Sequence, residues 1–111
     1  STAHHAFRFT QKGKLVPLHF ADAIREVQQG YNPSHHEDLG ESPNAQLMQD
    51  PELLAYMVDR FAVLGTPEEC VSQIQRIREA GIHQILFTGF VDDRPSLIKT
   101  LGRDVFPRCR N

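Results

Sequence analysis

The carboxyl-terminal half of the sequence predicts an α/β fold in which two parallel strands alternate with two helices in the order β-α-β-α. Residues 61–64 (FAVL) and 82–90 (IHQILFTGF) are short runs dominated by apolar side chains, as in buried strands. Each run precedes a proline and then a helical spacing of apolar residues. Since parallel strands need a crossover between them, this order favours right-handed connections.

Residues 1–50 predict a mostly helical and irregular segment before this unit. Phe7–Thr10 alternates as a short strand does, and residues 11–14 (QKGK) indicate a turn. Phe20, Ile24, Val27 and Tyr31 recur on one helical face, which predicts a helix that ends near Gly30, since Pro33 prevents its continuation. Residues 32–44 are polar and contain two prolines, and we expect them to form a loop.

Residues 51–111 form the second predicted region, which begins with a helix capped by Asp50. At 64–71 (LGTPEECV), Gly65 predicts a turn, and Thr66 with Glu69 predicts a capped helix start. That helix is expected to stop at Gly81. The last helix is expected to run from Pro95 to Pro107, and its inner face would consist of Leu97, Ile98, Leu101 and Val105.

Composition and charge indicate an ordinary globular domain. The chain has 111 residues, is 40% hydrophobic and 23% charged, and carries a formal charge of -2. No apolar run approaches the ~20 residues of a membrane span, and the basic residues are scattered, so neither a membrane nor nucleic acid is expected as a partner. Two cysteines are too few for a disulfide scaffold, which favours a cytoplasmic setting.

Residues 61–90, together with VFPRCR at 105–110, resemble the C-terminal end of the luciferase-like monooxygenase family, which includes bacterial luciferase and the F420-dependent reductases. The shared pattern is a strand ending in G-T-P-E-E, an amphipathic helix ending in A-G, a second strand and a final helix. Residues 1–60 match only loosely, as a variable helical region. The resemblance implies an incomplete (β/α)8 TIM barrel that retains its seventh and eighth strands, because a whole barrel needs ~250 residues.

The same resemblance implies a cofactor, FMN or F420, in the intact parent protein, and none bound to this chain alone. Residues that follow the two expected strands are the candidate cofactor contacts: Gly65, Thr66, Thr88, Gly89 and Phe90. Barrel sites lie at that rim, where backbone amides can approach a phosphate. A turn at Gly65 and a cap at Thr66 are the simpler interpretation of the first pair. No catalytic residue is predicted.

Other residues with reactive side chains favour structural interpretations. His35, His36, Glu37 and Asp38 are metal-ligand types, but their spacing matches no tetrahedral site, and a solvated loop is expected. His4 and His5 lie near the chain end, and His19 and His83 favour packing or surface roles. Cys70 lies where a thiol pKa can fall, although a structural role is expected. The sequence predicts no metal site.

Three functions remain open at this point. The chain is either an inactive C-terminal segment of a flavin- or F420-dependent oxidoreductase, or a small homodimeric interaction module, or a binding protein that uses residues 32–44 as a lid. Two isolated parallel strands would leave both edges exposed. We therefore expect a second copy or the missing N-terminal barrel portion to cover them.

Overall fold

The computed structural model describes residues 2–36, 38, 41–89 and 91–110, which fall into two compact units at 1–62 and 63–111. In the described part of the chain, all regular structure is helical. The α-helices are α1 (Thr2–Phe7), α2 (Ala21–Gly30), α3 (Pro51–Phe61), α4 (Pro67–Glu79) and α5 (Arg94–Thr100). None of the helices in these described ranges is long and apolar enough to cross a membrane.

The first unit packs α1, α2 and α3 around one apolar core. Its buried side chains come from all three helices and from the 3-10 turn before α2: Phe7, Phe20, Ile24, Val27, Leu53 and Met57. Ile24 is fully buried, so the apolar face of α2 lies at the centre of this unit. Helix α3 begins as predicted, because the Asp50 carboxylate accepts a hydrogen bond from the Glu52 amide at 2.9 Å.

The side chain of Asn44 forms hydrogen bonds across the polar connection between α2 and α3, which includes residues 32–44. The Asn32 amide donates to Oδ1 of Asn44 at 2.8 Å, and Nδ2 of Asn44 donates to the Asn32 carbonyl at 2.8 Å. Nδ2 also donates to the His35 carbonyl at 3.1 Å. The amide group of Asn44 thus satisfies backbone groups that a neighbouring strand would otherwise satisfy.

The second unit has a small core between α4 and the end of the chain. Val71, Ile74 and Val105 are its buried residues. Helix α5 continues into a π turn at Leu101–Val105 and a 3-10 turn at Phe106–Cys109, so Pro107 lies within the last turn. Residues around this core are only partly buried: Val63, Cys70, Ile85, Leu101 and Cys109.

The predicted α/β fold is wrong, and so is the β-α-β-α portion of a TIM barrel. Residues 62–64 form no strand, and Phe61 is the last residue of α3. The side chain of Gln73 takes the place of a strand partner for Leu64. Its Oε1 accepts from the Leu64 amide at 3.3 Å, and its Nε2 donates to the Leu64 carbonyl at 2.8 Å.

Residues 82–89 also form no strand, although their composition predicted one. Only the Ile82 amide has a backbone partner, the Ile77 carbonyl at 3.3 Å; in the described part of the chain, residues 83–89 make no backbone hydrogen bond. A strand exists only when a neighbour pairs with it, and apolar composition supplies no such neighbour. Phe90 lies outside the described residues.

Local signals were more successful than the strand predictions. The turn at residues 11–14 is confirmed, with the Lys14 amide donating to the Gln11 carbonyl at 3.1 Å. Helix α2 ends at Gly30, and Gly81 follows α4 with a positive φ of 92°. The short strand predicted at Phe7–Thr10 is wrong, because Phe7 closes α1 and is buried in the first core.

Substituting Thr66→Ala is expected to loosen the first turn of α4. The lost cap is worth about 1 kcal/mol, which corresponds to roughly fivefold faster amide hydrogen exchange in that turn. Ser72→Ala is the matched control, since the Ser72 hydroxyl only donates to the Glu68 carbonyl within α4. Equal exchange rates in the two variants would contradict the assigned cap.

Candidate functional site

The first two candidate cofactor residues, Gly65 and Thr66, form the turn that starts α4. Thr66 Oγ1 accepts from the Glu69 amide at 3.3 Å, and the Glu69 carboxylate accepts from the Thr66 amide at 2.7 Å. Gly65 has a φ of 136°, and a Cβ there would lie 2.4 Å from the Glu69 carboxylate. The capping box therefore uses the Thr66 amide and hydroxyl and requires glycine before it.

The other candidates, Thr88 and Gly89, lie in the irregular segment before α5. Thr88 is exposed, and a Cβ on Gly89 would lie 2.8 Å from Leu97 Cδ2. Phe90 lies outside the described residues. No hydrogen bond, ion pair or ring contact between described residues joins Thr88 or Gly89 to the turn at Gly65 and Thr66.

An aromatic cluster in the first unit was missed by the sequence interpretation. The rings of His4 and Tyr31 stack with centroids 4.1 Å apart, and His5 meets His36 edge-on at 5.8 Å. The Tyr31 hydroxyl also hydrogen-bonds to Nδ1 of His36. No local sequence pattern predicts this cluster, because it forms only when α1 packs beside the end of α2.

The packing of His4 perturbs its titration. Its burial lowers its pKa below the ordinary value of 6.5, and the neighbouring His5, Arg8 and His36 lower it further. Nδ1 of His4 is buried and has no hydrogen-bond partner among the described residues. The neutral imidazole is consequently the form that this packing favours.

The histidines of the polar connection have separate partners. His35 Nδ1 lies 2.7 Å from the Asp38 carboxylate, whereas His36 bonds to Tyr31. Glu37, the other predicted ligand type, lies outside the described residues. Among the described residues, no three histidine, cysteine, aspartate or glutamate side chains are placed to hold a metal ion.

The remaining candidates have structural contacts or lie at the surface. Cys70 packs against the second core, and its Sγ lies 3.7 Å from the Gly65 carbonyl oxygen. His19 contacts the ring of Phe20, with centroids 4.0 Å apart. His83 is exposed and lines a cavity beside the end of α4.

Two ion pairs lie in the second unit, and one of them joins the 3-10 turn at 106–109 to the start of α4. Arg108 Nη1 lies 2.9 Å from the Glu68 carboxylate. Hydrogen bonding to its own backbone amide lowers the pKa of Glu68, and the bond from Arg108 lowers it further. Hydrogen bonding from Arg103 likewise lowers the pKa of Asp104. These pairs are exposed, so they contribute little to stability.

No protein-family model, curated protein or solved structure was found to match this chain.

Acidification is expected to destabilise the first unit through His4. Because the folded-state pKa of His4 is below that of the unfolded chain, the unfolded chain binds the proton more readily as the pH falls through about 6.5. The free energy of unfolding should therefore fall between about pH 7.5 and about pH 5.5, and His4→Gln should reduce that fall. Tyrosine fluorescence during urea unfolding measures it, since both tyrosines, Tyr31 and Tyr56, lie in this unit.

His19→Gln is the control for this prediction, since His19 is exposed and outside the cluster. It should keep the pH dependence of the unsubstituted protein. A pH dependence that His4→Gln and His19→Gln leave equally intact would contradict the role given to His4.

Proposed function

We propose that this chain acts by association and not by catalysis, as the C-terminal segment of a flavin- or F420-dependent luciferase-like oxidoreductase. The observation that carries the proposal is the exposed apolar segment at residues 82–89, whose backbone beyond Ile82 has no partner in the described part of the chain. Such a segment is a template to which another polypeptide can add a strand. A partner segment of the parent protein would complete it.

Leu86 is the most exposed large apolar residue of this segment. Its side chain is 91% exposed, although leucine is among the residues most often buried. Ile82 and Phe87 of the same segment are also exposed. Clustered exposed apolar side chains are a feature of interaction surfaces in soluble proteins.

The oxidoreductase origin is supported by the residues of the family pattern. The capping box at Thr66 and Glu69, the helix that follows it and Gly81 are present in the order of that pattern. FMN or F420 would bind to the intact parent, and the residues proposed to approach it are Gly65, Thr66, Thr88, Gly89 and Phe90. The chain alone would bind neither cofactor. We place the protein in the cytoplasm, where its free cysteines would remain reduced.

A second candidate function is a homodimeric interaction module without catalysis. The unpartnered backbone of residues 83–89 favours it, because two identical segments can pair in antiparallel orientation about a two-fold axis. The partner would then be a second copy of this chain.

Leu86→Lys is expected to abolish association, because it places a charge in the centre of the apolar segment. Leu18→Lys is the matched control, since Leu18 is 92% exposed in the first unit and lies outside the segment. Sedimentation velocity would measure association of the chain with itself. Pull-down of the polypeptide encoded upstream in the same reading frame would measure association with the parent segment.

The two candidates give different results in these measurements. A dimer that dissociates only with Leu86→Lys supports the homodimer, whereas a monomer that captures the upstream polypeptide through Leu86 supports the oxidoreductase segment. Either of two results would overturn the proposed role of residues 82–89. One is an association that Leu86→Lys does not change, and the other is the absence of association in both measurements.

The purified chain is expected to show no flavin- or F420-dependent turnover. Among the described residues, no serine, threonine or cysteine side chain donates a hydrogen bond to a histidine or carboxylate side chain, and the capping box already occupies Thr66. Oxygen consumption with reduced FMN, and absorbance of F420 with a reductant, would be compared with protein-free controls. Turnover above those controls would contradict the absence of catalysis.

A further inference from the structure

The second unit contains a cavity that shares part of its lining with residues 82–89. It has a volume of about 470 Å³ and lies between the C-terminal end of α4, residues 82–87 and the last turn of the chain. This volume is in the range of small-molecule sites, roughly 300–1,000 Å³. Leu86, on which the proposed association depends, does not line it.

Part of the cavity wall is apolar and aromatic. Ile74 and Ile85 connect it to the core of the unit, and Phe87 and Phe106 form an aromatic side. The two phenylalanine rings have centroids 6.1 Å apart and are inclined by 33°. A flat ring system can contact both of them, since aromatic rings associate in offset and tilted arrangements.

The rim of the cavity carries cationic and imidazole groups. Arg78, Arg110 and His83 line it together. Arg78 is oriented by the chain end, because its Nη1 donates to the Cys109 carbonyl at 3.3 Å. Its guanidinium keeps further N–H donors for a second acceptor.

Among the described residues, Arg78 and Arg110 have no acidic partner. Arg103 pairs with Asp104 and Arg108 pairs with Glu68, but no carboxylate of the described residues lies within ion-pair distance of Arg78 or Arg110. Two guanidinium groups beside apolar side chains complement an anion attached to an apolar body.

We propose that this cavity binds a small aromatic carboxylate, with its rings against Phe87 and Phe106 and its carboxylate at Arg78 and Arg110. The carboxylate accepts charge-assisted hydrogen bonds from the guanidinium groups, and the rings replace water on the apolar walls. This site shares Ile82 and Phe87 with the proposed association segment, whereas Leu86 does not line it.

Titration with 2-naphthoate tests the site directly. The chain contains no tryptophan, so the emission of the naphthalene ring can be followed without interference from indole, and equilibrium dialysis gives the stoichiometry. We expect one bound molecule and weaker binding at high salt, since exposed charges are screened. The neutral analogue 2-naphthylmethanol should bind at least about tenfold more weakly, because it cannot form the charge-assisted bonds.

Substitution of the two cavity arginines distinguishes binding at this site from non-specific adsorption. Arg78→Gln combined with Arg110→Gln should weaken 2-naphthoate binding about tenfold or more. Arg76→Gln is the control, because Arg76 is exposed on α4 and does not line the cavity. Circular dichroism would establish that both variants retain the helical content of the parent chain.

Several outcomes would overturn the proposal. One is the absence of binding at millimolar 2-naphthoate, and another is an equal loss of 2-naphthoate affinity in the Arg76→Gln control. The others are an affinity for 2-naphthylmethanol equal to that for 2-naphthoate, and equal displacement of 2-naphthoate by inorganic phosphate. Displacement by FMN at a comparable concentration would assign the cavity to the cofactor and would also overturn the carboxylate site. Loss of association with Leu86→Lys leaves this titration unchanged, so the two proposals fail separately.

Discussion

The start of α4 determines how the second unit is built. Side chains within ten residues satisfy the backbone of this junction: Gln73 bonds to both polar groups of Leu64, and Glu69 and Thr66 cap each other's amides. Backbone groups satisfied in this way no longer require a neighbouring strand. The unit therefore assembles around a helix start, with the chain end packed against α4 through Val105 and Arg108.

Sequence signals located the starts of α3 and α4 because these depend on a few adjacent residues, whereas α1 was not predicted and α5 ends at Thr100, before the predicted end at Pro107. Asp50 with Pro51, and Thr66 with Pro67 and Glu69, carry their hydrogen-bond partners within one helical turn. The strand predictions at 61–64 and 82–90 required a partner elsewhere in the chain, and apolar composition contains no information about whether that partner exists. Tertiary context therefore decided the fold class.

The candidate site residues also form two groups: those whose contacts are with sequence neighbours, and those that packing brings together. The turn and cap at Gly65 and Thr66 could be derived from their neighbours in the sequence, and the structure gives those contacts. The stack of His4 on Tyr31 and the cavity at Arg78 join residues more than twenty positions apart, so no spacing rule indicates them. They depend on the packing of α1 in one unit and of the chain end in the other.

The hydrogen bonds of Asn44 have a consequence for how this protein can vary. The Asn44 side chain bonds to the backbone of Asn32, and His36 bonds to Tyr31 and contacts His5, so the connection is held to the first unit at two places. The closure entropy of a loop grows only slowly with its length. An epitope tag or a fluorescent label inside the connection would therefore leave the helical core of the first unit undisturbed where it preserves the contacts of Asn44, His36 and the buried Ser42.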